Sequence, residues 1–469
     1  MALDKLIMHG VTVLGGTATA VLLIIQMAAT PARADTMEAA LLRAYQNNPQ
    51  LNAQRASVRA VDENVPQALS GYRPRVSMTA SGGGQFINQL TTPGGRKIEE
   101  GLQGPHAVGA TVTQTLFNGN QTANKTRAAE SQVLGAREGL RLLEQSVLLA
   151  AATIYMDYLR DAAILEVQRN NTWVLEQTLK QTRQRYAAGL VTPTDVAQSE
   201  AQLAAGRTQE LAAEANLTTT RANFRRIIGN EPEQLAAASP VDRYLPETLR
   251  DAADLSLVEN PNVTAAMFGV DVNFLNVKVN EGALFPTLTL QAGVQKSWQQ
   301  TITQIWQFNA SAVAQVSVPI YQGGAEYSLI RQSKETLEQQ RLNLEQVRDQ
   351  ARADLVTAWG QLLAGKAQIA SSQAQVTASE VALLGVRKEA TVGQRTTLDV
   401  LNAQQALVNA RVALVTAQHD RVVASYAVLS AIGRLSPRVL HLATPAYDPS
   451  VHYHQVRDGW TGVRTPDGR

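Results

Sequence analysis

The sequence contains no cysteine. Disulfides, thiolate metal sites, cysteine nucleophiles and a lipid-bearing N-terminal cysteine are therefore excluded. Charge is sparse and balanced: 42 Lys and Arg against 40 Asp and Glu leave a formal charge of +2. A nucleic-acid partner would ask for a basic excess. Beyond residue 34 no run reaches the roughly 20 apolar residues of a membrane-spanning helix, which excludes a helical membrane protein. No glycine-rich phosphate loop opens a helix, so ATP use by this chain is not expected. His452 and His454 lie near Asp448 but lack the spacing of a ligand cluster. No metal, no cofactor and no enzymatic activity are expected.

The N-terminus carries an address. Lys5 supplies a positive start, Val21 to Ala29 an apolar core, and Ala32-Arg33-Ala34 a small-x-small cleavage site. A signal peptide over 1–34, cut before Asp35, implies an exported product. The lack of cysteine suits a bacterial envelope.

The rest of the chain is written twice. Asn48-Pro49 recurs as Asn260-Pro261, and Pro74 as Pro286, both at an offset of 212. Phe117-Asn118-Gly119 recurs as Tyr321-Gln322-Gly323, now at 204. Gly189, Thr192, Asp195 and Val196 recur as Gly393, Thr396, Asp399 and Val400, and Ile228-Gly229 as Ile432-Gly433, still at 204. We expect a first repeat over 35–230, a connecting segment over 231–258, a second repeat over 259–434 and a tail over 435–469. Each repeat reads as helix, β-hairpin, very long helix, turn and helix.

Asn120 to Tyr186 and Ala325 to Ala390 are free of proline and rich in Ala, Leu, Gln, Glu and Arg. Leu337, Leu344, Val347, Ala351, Leu355, Ala358 and Leu362 form a heptad-like seam. A helix of that length is about 100 Å long, deeper than any globular core, so such helices must pack along one another. Gly189 and Gly393 end these helices as left-handed residues would. Thr192 with Asp195, and Thr396 with Asp399, then read as acidic capping boxes that open helices over 193–229 and 397–433.

The expected hairpins span about 75–117 and 287–321. From Val76 to Phe86, and again over Val108–Leu116, apolar and polar residues alternate. Leu288, Leu290, Ala292, Val294 and Trp298 alternate with Thr289, Gln291, Gly293 and Gln295; Phe308 to Val318 behaves alike. Phe117 and Tyr321, and Trp298 and Trp306, sit near strand ends, where a membrane-interface girdle would place them. Four strands cannot close a barrel, and open edges are forbidden in lipid. Three chains sharing one barrel would supply twelve strands, an even number.

In order and in duplicate, these residues resemble the TolC family of outer-membrane export channels. The matching elements are Asn48-Pro49, Tyr321-Gln322-Gly323-Gly324, Gly189-Leu190-Val191, Val392-Gly393, Asp195-Val196 and Asp399-Val400-Leu401. The resemblance implies a mainly α protein with a membrane β-barrel. Long antiparallel helical hairpins would form an α-barrel, and four strands per chain would join a trimeric twelve-strand barrel. It implies a homotrimer in the outer membrane with a periplasmic helical portion. A periplasmic adaptor and an inner-membrane pump of ABC or RND type would be its partners. Type I secreted proteins or small toxic compounds would leave through it. Gly189, Leu190, Val191, Val392 and Gly393 match the adaptor-docking tips. Asp195, Arg395 and Asp399 match the periplasmic gate, with Arg395 and Asp195 as a salt-bridged pair and Asp399 as an acidic ring. Asn402 stands where one relative has a second acidic ring, and an aromatic partner near Ala390 is missing. The competing reading is a non-conducting periplasmic coiled-coil scaffold.

Overall fold

The computed structural model describes residues 35–91, 97–301 and 305–468. The expected signal peptide at 1–34 lies outside them. Helices α1 (Met37–Asn47), α2 (Pro49–Asp62) and α3 (Asn64–Leu69) lead into strands β1 (Arg75–Gly82), β2 (Gln85–Thr91), β3 (Lys97–Gln103) and β4 (His106–Asn118). Helices α4 (Gln121–Ala187), α5 (Pro193–Ile228), α6 (Leu249–Glu259) and α7 (Pro261–Gly282) follow. Then come β5 (Thr287–Trp298), β6 (Trp306–Ser317), α8 (Ala325–Thr391), α9 (Thr397–Ile432) and the short α10 (Ser450–Val456).

The two Asn-Pro sequences are corners between helices. The Asn48 side chain accepts from the amides of Gln50 at 2.9 Å and Leu51 at 3.2 Å, with Pro49 at the first helical position. Asn260 repeats this with Asn262 at 2.9 Å and Pro261. The helix before each corner also repeats, since α1 and α6 are both 11 residues long at an offset of 212. The expected connecting segment at 231–258 therefore runs into α6, which is the counterpart of α1.

Helices α4 and α8 are each 67 residues long, and α5 and α9 each 36. Their buried residues recur in sevens. On α4 these are Thr126, Val133, Leu140, Val147, Ile154, Asp161, Gln168, Leu175 and Thr182. On α8, Ile330, Leu337, Leu344, Ala351, Ala358, Gly365 and Ser372 form one row, and Leu355, Leu362, Val376, Leu383 and Ala390 another. A sustained period of 3.5 keeps the seam on its neighbour only if the helices coil left-handedly. The 3.6 period of a straight helix would drift off the seam within a few turns.

Before each long helix the chain turns through two left-handed residues, Gly119-Asn120 and Gly323-Gly324. Gly119 is further constrained, because a Cβ there would stand 2.2 Å from the Gly282 carbonyl oxygen. Only glycine lets the strand end pass so close to the end of α7.

The strands β1, β4, β5 and β6 pair in that order, all antiparallel. Val76, Met78 and Ala80 align with Val112, Ala110 and Val108, then with Ala292, Val294 and Lys296, then with Ala312, Ala310 and Phe308. One face is thus apolar across four strands, while Ser77, Thr79, Thr111, Gln295, Asn309 and Ser311 lie on the other. Simple alternation puts Leu116 on the apolar face and Phe117 on the polar one. A bulge between Thr115 and Phe117 shifts the phase, and Phe117 pairs with Leu288 on the apolar face. The expected single strand from Val76 to Phe86 is also corrected. It breaks after Gly82, whose partner is His106, and β2 pairs with β3 in a separate two-stranded ladder. Three consecutive glycines, Gly82 to Gly84, give the strand no side chains to hold it on one partner.

The densest core lies midway along the helices. Leu41, Leu51, Leu148, Tyr155, Phe224, Leu429 and Leu435 are fully buried there. Truncating one such leucine to alanine costs about 2–5 kcal/mol. The Tyr155 hydroxyl lies 2.7 Å from the carbonyls of both Asp35 and Ala236, which ties the segment before α1 and the 231–258 segment to α4. The tail contains α10, which packs on the α2 surface. His452 Nδ1 lies 3.0 Å from the buried Asp62 carboxylate, so its neighbour is Asp62 and not the Asp448 considered from sequence.

Candidate functional site

The end of the molecule farthest from the sheet consists of two helix turns, α4 to α5 and α8 to α9. Each is built by the same backbone device. At the first, Leu190 N–H donates to Arg185 O at 2.9 Å and Gly189 N–H to Tyr186 O at 2.9 Å. At the second, Gln394 N–H donates to Glu389 O at 2.9 Å and Gly393 N–H to Ala390 O at 3.4 Å. The crossed bonds satisfy the last free carbonyls of the long helices, with Gly189 at φ 71° and Gly393 at φ 79°.

The next helices start on reciprocal caps. Asp195 Oδ2 accepts from the Thr192 amide at 2.9 Å and its hydroxyl at 2.7 Å, and Asp195 N–H donates back to Thr192 Oγ1 at 3.4 Å. Asp399 Oδ2 accepts from the Thr396 amide and hydroxyl, both at 2.9 Å, and its own amide donates back at 3.2 Å. These bonds favour the ionised carboxyls. The Thr192 hydroxyl and amide, with Thr397 and Arg185, hold Asp195 below the usual carboxylate range. The Thr396 amide and hydroxyl do the same for Asp399, with Arg395 adding its charge.

Leu190 and Val392 project into solvent, 69 % and 70 % exposed. Gly189 and Gly393 are exposed beside them and Val191 is half-buried. Asn402 is exposed on α9, one turn beyond Asp399. Ala390 is buried in the α8 seam, so its position is occupied by helix packing. Within the single chain Arg395 is engaged by its own hairpin and not by Asp195. Arg395 Nε bonds Glu389 Oε2 at 2.9 Å. Glu389 ends α8, and the turn folds Arg395 back over it. Asp195 belongs to the other hairpin, and its Oδ2 is engaged by Thr192.

The bonds between the two hairpins were not anticipated. Gln404 Nε2 on α9 donates to Asn171 Oδ1 on α4 at 3.3 Å, and Gln404 Oε1 is held from within its own hairpin by Arg387 Nη2 at 2.9 Å. Gln202 Nε2 donates to Gln405 Oε1 at 3.1 Å, joining α5 to α9. Their only signal was polar residues at buried seam positions, Asn171 and Gln404. A cleft of about 390 Å³ lies between the hairpins, lined by Trp173, Arg185, Arg387, Thr391, Thr397 and Val400. Within each hairpin one ion pair repeats at the offset of 204: Arg207 to Glu176 and Arg411 to Glu380, both at 2.8 Å. Exposed pairs of this kind contribute little stability, about 0–1 kcal/mol.

Coiled helical hairpins about 100 Å long, joined to a four-stranded sheet with one apolar face, define the architecture of an outer-membrane export channel. Comparison with known proteins agrees. The chain belongs to the outer membrane efflux protein family, whose model matches residues 40–230 and 252–434. It is 40% identical over 439 residues to the outer membrane efflux protein BepC of Brucella suis, covering 93% of this chain and 94% of that protein. The outer membrane protein TolC of Vibrio cholerae is 26% identical, with 84% and 90% covered. The CmeC outer membrane channel of Campylobacter jejuni superposes with a TM-score of 0.75 at 16% identity, covering 90% of this chain and 89% of that one. The chain is thus an outer-membrane protein with a periplasmic helical portion, and its family and relatives are channel proteins.

Proposed function

We propose that this chain is the exit duct of a tripartite export system and that it works as a homotrimer. The observation that carries the reading is the sheet. Its mainly apolar face extends across β1, β4, β5 and β6, yet among the described residues the outer edges of β1 and β6 are unpaired. Unpaired edges are not tolerated in lipid. Pairing β1 of one copy with β6 of the next satisfies both edges, and three copies give a closed twelve-strand barrel. The apolar face then meets lipid and the polar face lines the lumen. The long helices continue the barrel as a periplasmic tube.

In this reading the tips have two tasks. Gly189, Leu190, Val191, Val392 and Gly393 form the surface that docks a periplasmic adaptor, whose pump in the inner membrane supplies the energy. Asp195, Arg395, Asp399 and Asn402 sit at the gate. Asp399 would supply a ring of charge that favours cations, and Arg395 would find Asp195 only across neighbouring hairpins. Cargo would pass outward with no chemistry done on it. The mass of the detergent-extracted particle by light scattering tests the reading. Three chains per particle, with ion conductance in a planar bilayer, are expected. A water-soluble monomer or dimer that conducts nothing would replace the duct with a periplasmic scaffold.

A further inference from the structure

At the far end of the sheet from the helices, one lysine stands on the apolar face. Lys296 aligns with Val108 on one side and Phe308 on the other. Its Nζ lies 5.2 Å from the Trp298 ring centre and 5.3 Å from that of Trp306, so the ammonium sits between two indoles. His106 stacks on Trp298 with centroids 4.9 Å apart and planes 13° from parallel. Trp306 and Phe308 are 59 % and 57 % exposed. Among the described residues no carboxylate makes an ion pair with Lys296. Among the described residues, the cation–aromatic contacts within the sheet are also confined to this end.

Resting on the barrel reading, we infer that Lys296, Trp298, Trp306 and His106 form a binding site for the phosphate of a lipid in the external leaflet. The end is external because the opposite strand ends feed the periplasmic helices α4 and α8. The height also fits. Lys296 lies eight residues along β5 from Leu288, about 26 Å of strand at 3.3 Å per residue, which at a tilt of about 40° rises about 20 Å, toward the upper rim of an apolar band about 25 Å tall. A charge deep in that band is costly, and the cost falls toward zero at its rim. Indole faces direct the ammonium outward and leave flat surface beside it for the rest of the head group. A cation with no counter-ion among the described residues, near head-group depth, calls for an anionic group from the lipid.

The test uses the full trimer in detergent, incubated with diphosphorylated lipid A, its dephosphorylated form, or phosphatidylglycerol. Retained lipid is read by native mass spectrometry. The phosphorylated form should outlast the dephosphorylated form by about fivefold, the weight of one lysine beside an anionic head group. K296Q should erase that difference and K296R should restore it, both with trimers intact. A K296Q trimer that retains phosphorylated lipid as wild type does would overturn the site. Equal retention of phosphatidylglycerol would overturn the external leaflet as its source. A wild-type particle that is not a trimer would overturn the barrel and the site together.

Discussion

At the first helix tip the left-handed Gly189 is followed by Leu190 and Val191. At the second, Gly393 is followed by Gln394 and Arg395 at matching positions. The backbone is the same in both: a glycine turn with crossed bonds, then a threonine–aspartate cap. The side chains presented differ, a wholly apolar corner in one hairpin and a polar, charged corner in the other. The two tips thus separate shape from chemistry. Glycine, threonine and aspartate set the turn, which leaves the two residues between them free to diverge. Val392, just before the second glycine, is the more exposed of the second tip's large apolar residues, with Leu398 in the first turn of α9 behind it.

The largest effect should come from spoiling the apolar corner. Leu190→Asp should cut export in cells by an order of magnitude or more, as loss of an interface anchor does. Trimer mass and conductance should be unchanged. Gln394→Asp, at the matching position, should leave export near wild type. Equal losses, measured as sensitivity to an exported toxic compound, would erase the distinction between the corners.

The shared backbone can be broken next. Gly189→Val forces a branched side chain into φ 71°, a strain of roughly 1–2 kcal/mol. Gly393→Val should cost the same. Thermal melting and protease nicking at the tips check this, and clearly unequal losses would mean that the two turns are not equivalent.

Selectivity sharpens the contrast further. Asp399→Ala should lower cation preference in bilayer recordings, by more than Asp195→Ala does. Unchanged selectivity would leave Asp399 as a cap and nothing else.

The smallest effect is on pH. The Asp195 and Asp399 carboxyls are held below their ordinary range, so their caps stabilise the folded tips above that range. The contribution fades as pH falls through the lowered values. His419, midway along α9, behaves in the opposite sense. Burial opposes its charge, but contacts with Asp157 at 2.9 Å and Asp420 at 2.8 Å outweigh burial and raise its pKa. That contribution is full below the ordinary imidazole value and is lost as pH rises through the raised one. Hydrogen exchange should therefore show acid loosening the tips and alkali loosening the contact between α4 and α9. In His419→Gln the alkaline response should vanish and the acid response remain.

Local rules were legible where they act on neighbours in sequence. The proline-free runs, the row of sevens on α8, the glycine turns and both capping boxes depend on residues within a few positions of one another. So does the alternation of Leu288 to Trp298. Elsewhere the pattern was incomplete. Nothing in the letters around Leu116 marks the bulge that moves Phe117 to the apolar face, since only pairing with Leu288 reveals it. Arg395 had acidic candidates on both hairpins, and the fold of its own turn selected Glu389. The tail's proline and glycine content hid α10, whose place is set by Asp62 on α2.

The sequence by itself determined a duplicated chain of coiled helical hairpins and alternating strands. Periodicity, propensity and capping are properties of short windows, and each window here points the same way. The tertiary structure decided which partners meet across long stretches of chain: Gln404 with Asn171, His452 with Asp62, Gln202 with Gln405 and β4 with β5. Such choices follow from how helices and strands pack in space. A buried polar residue announces that it needs a partner, but the packing of the other hairpin chooses which one it finds.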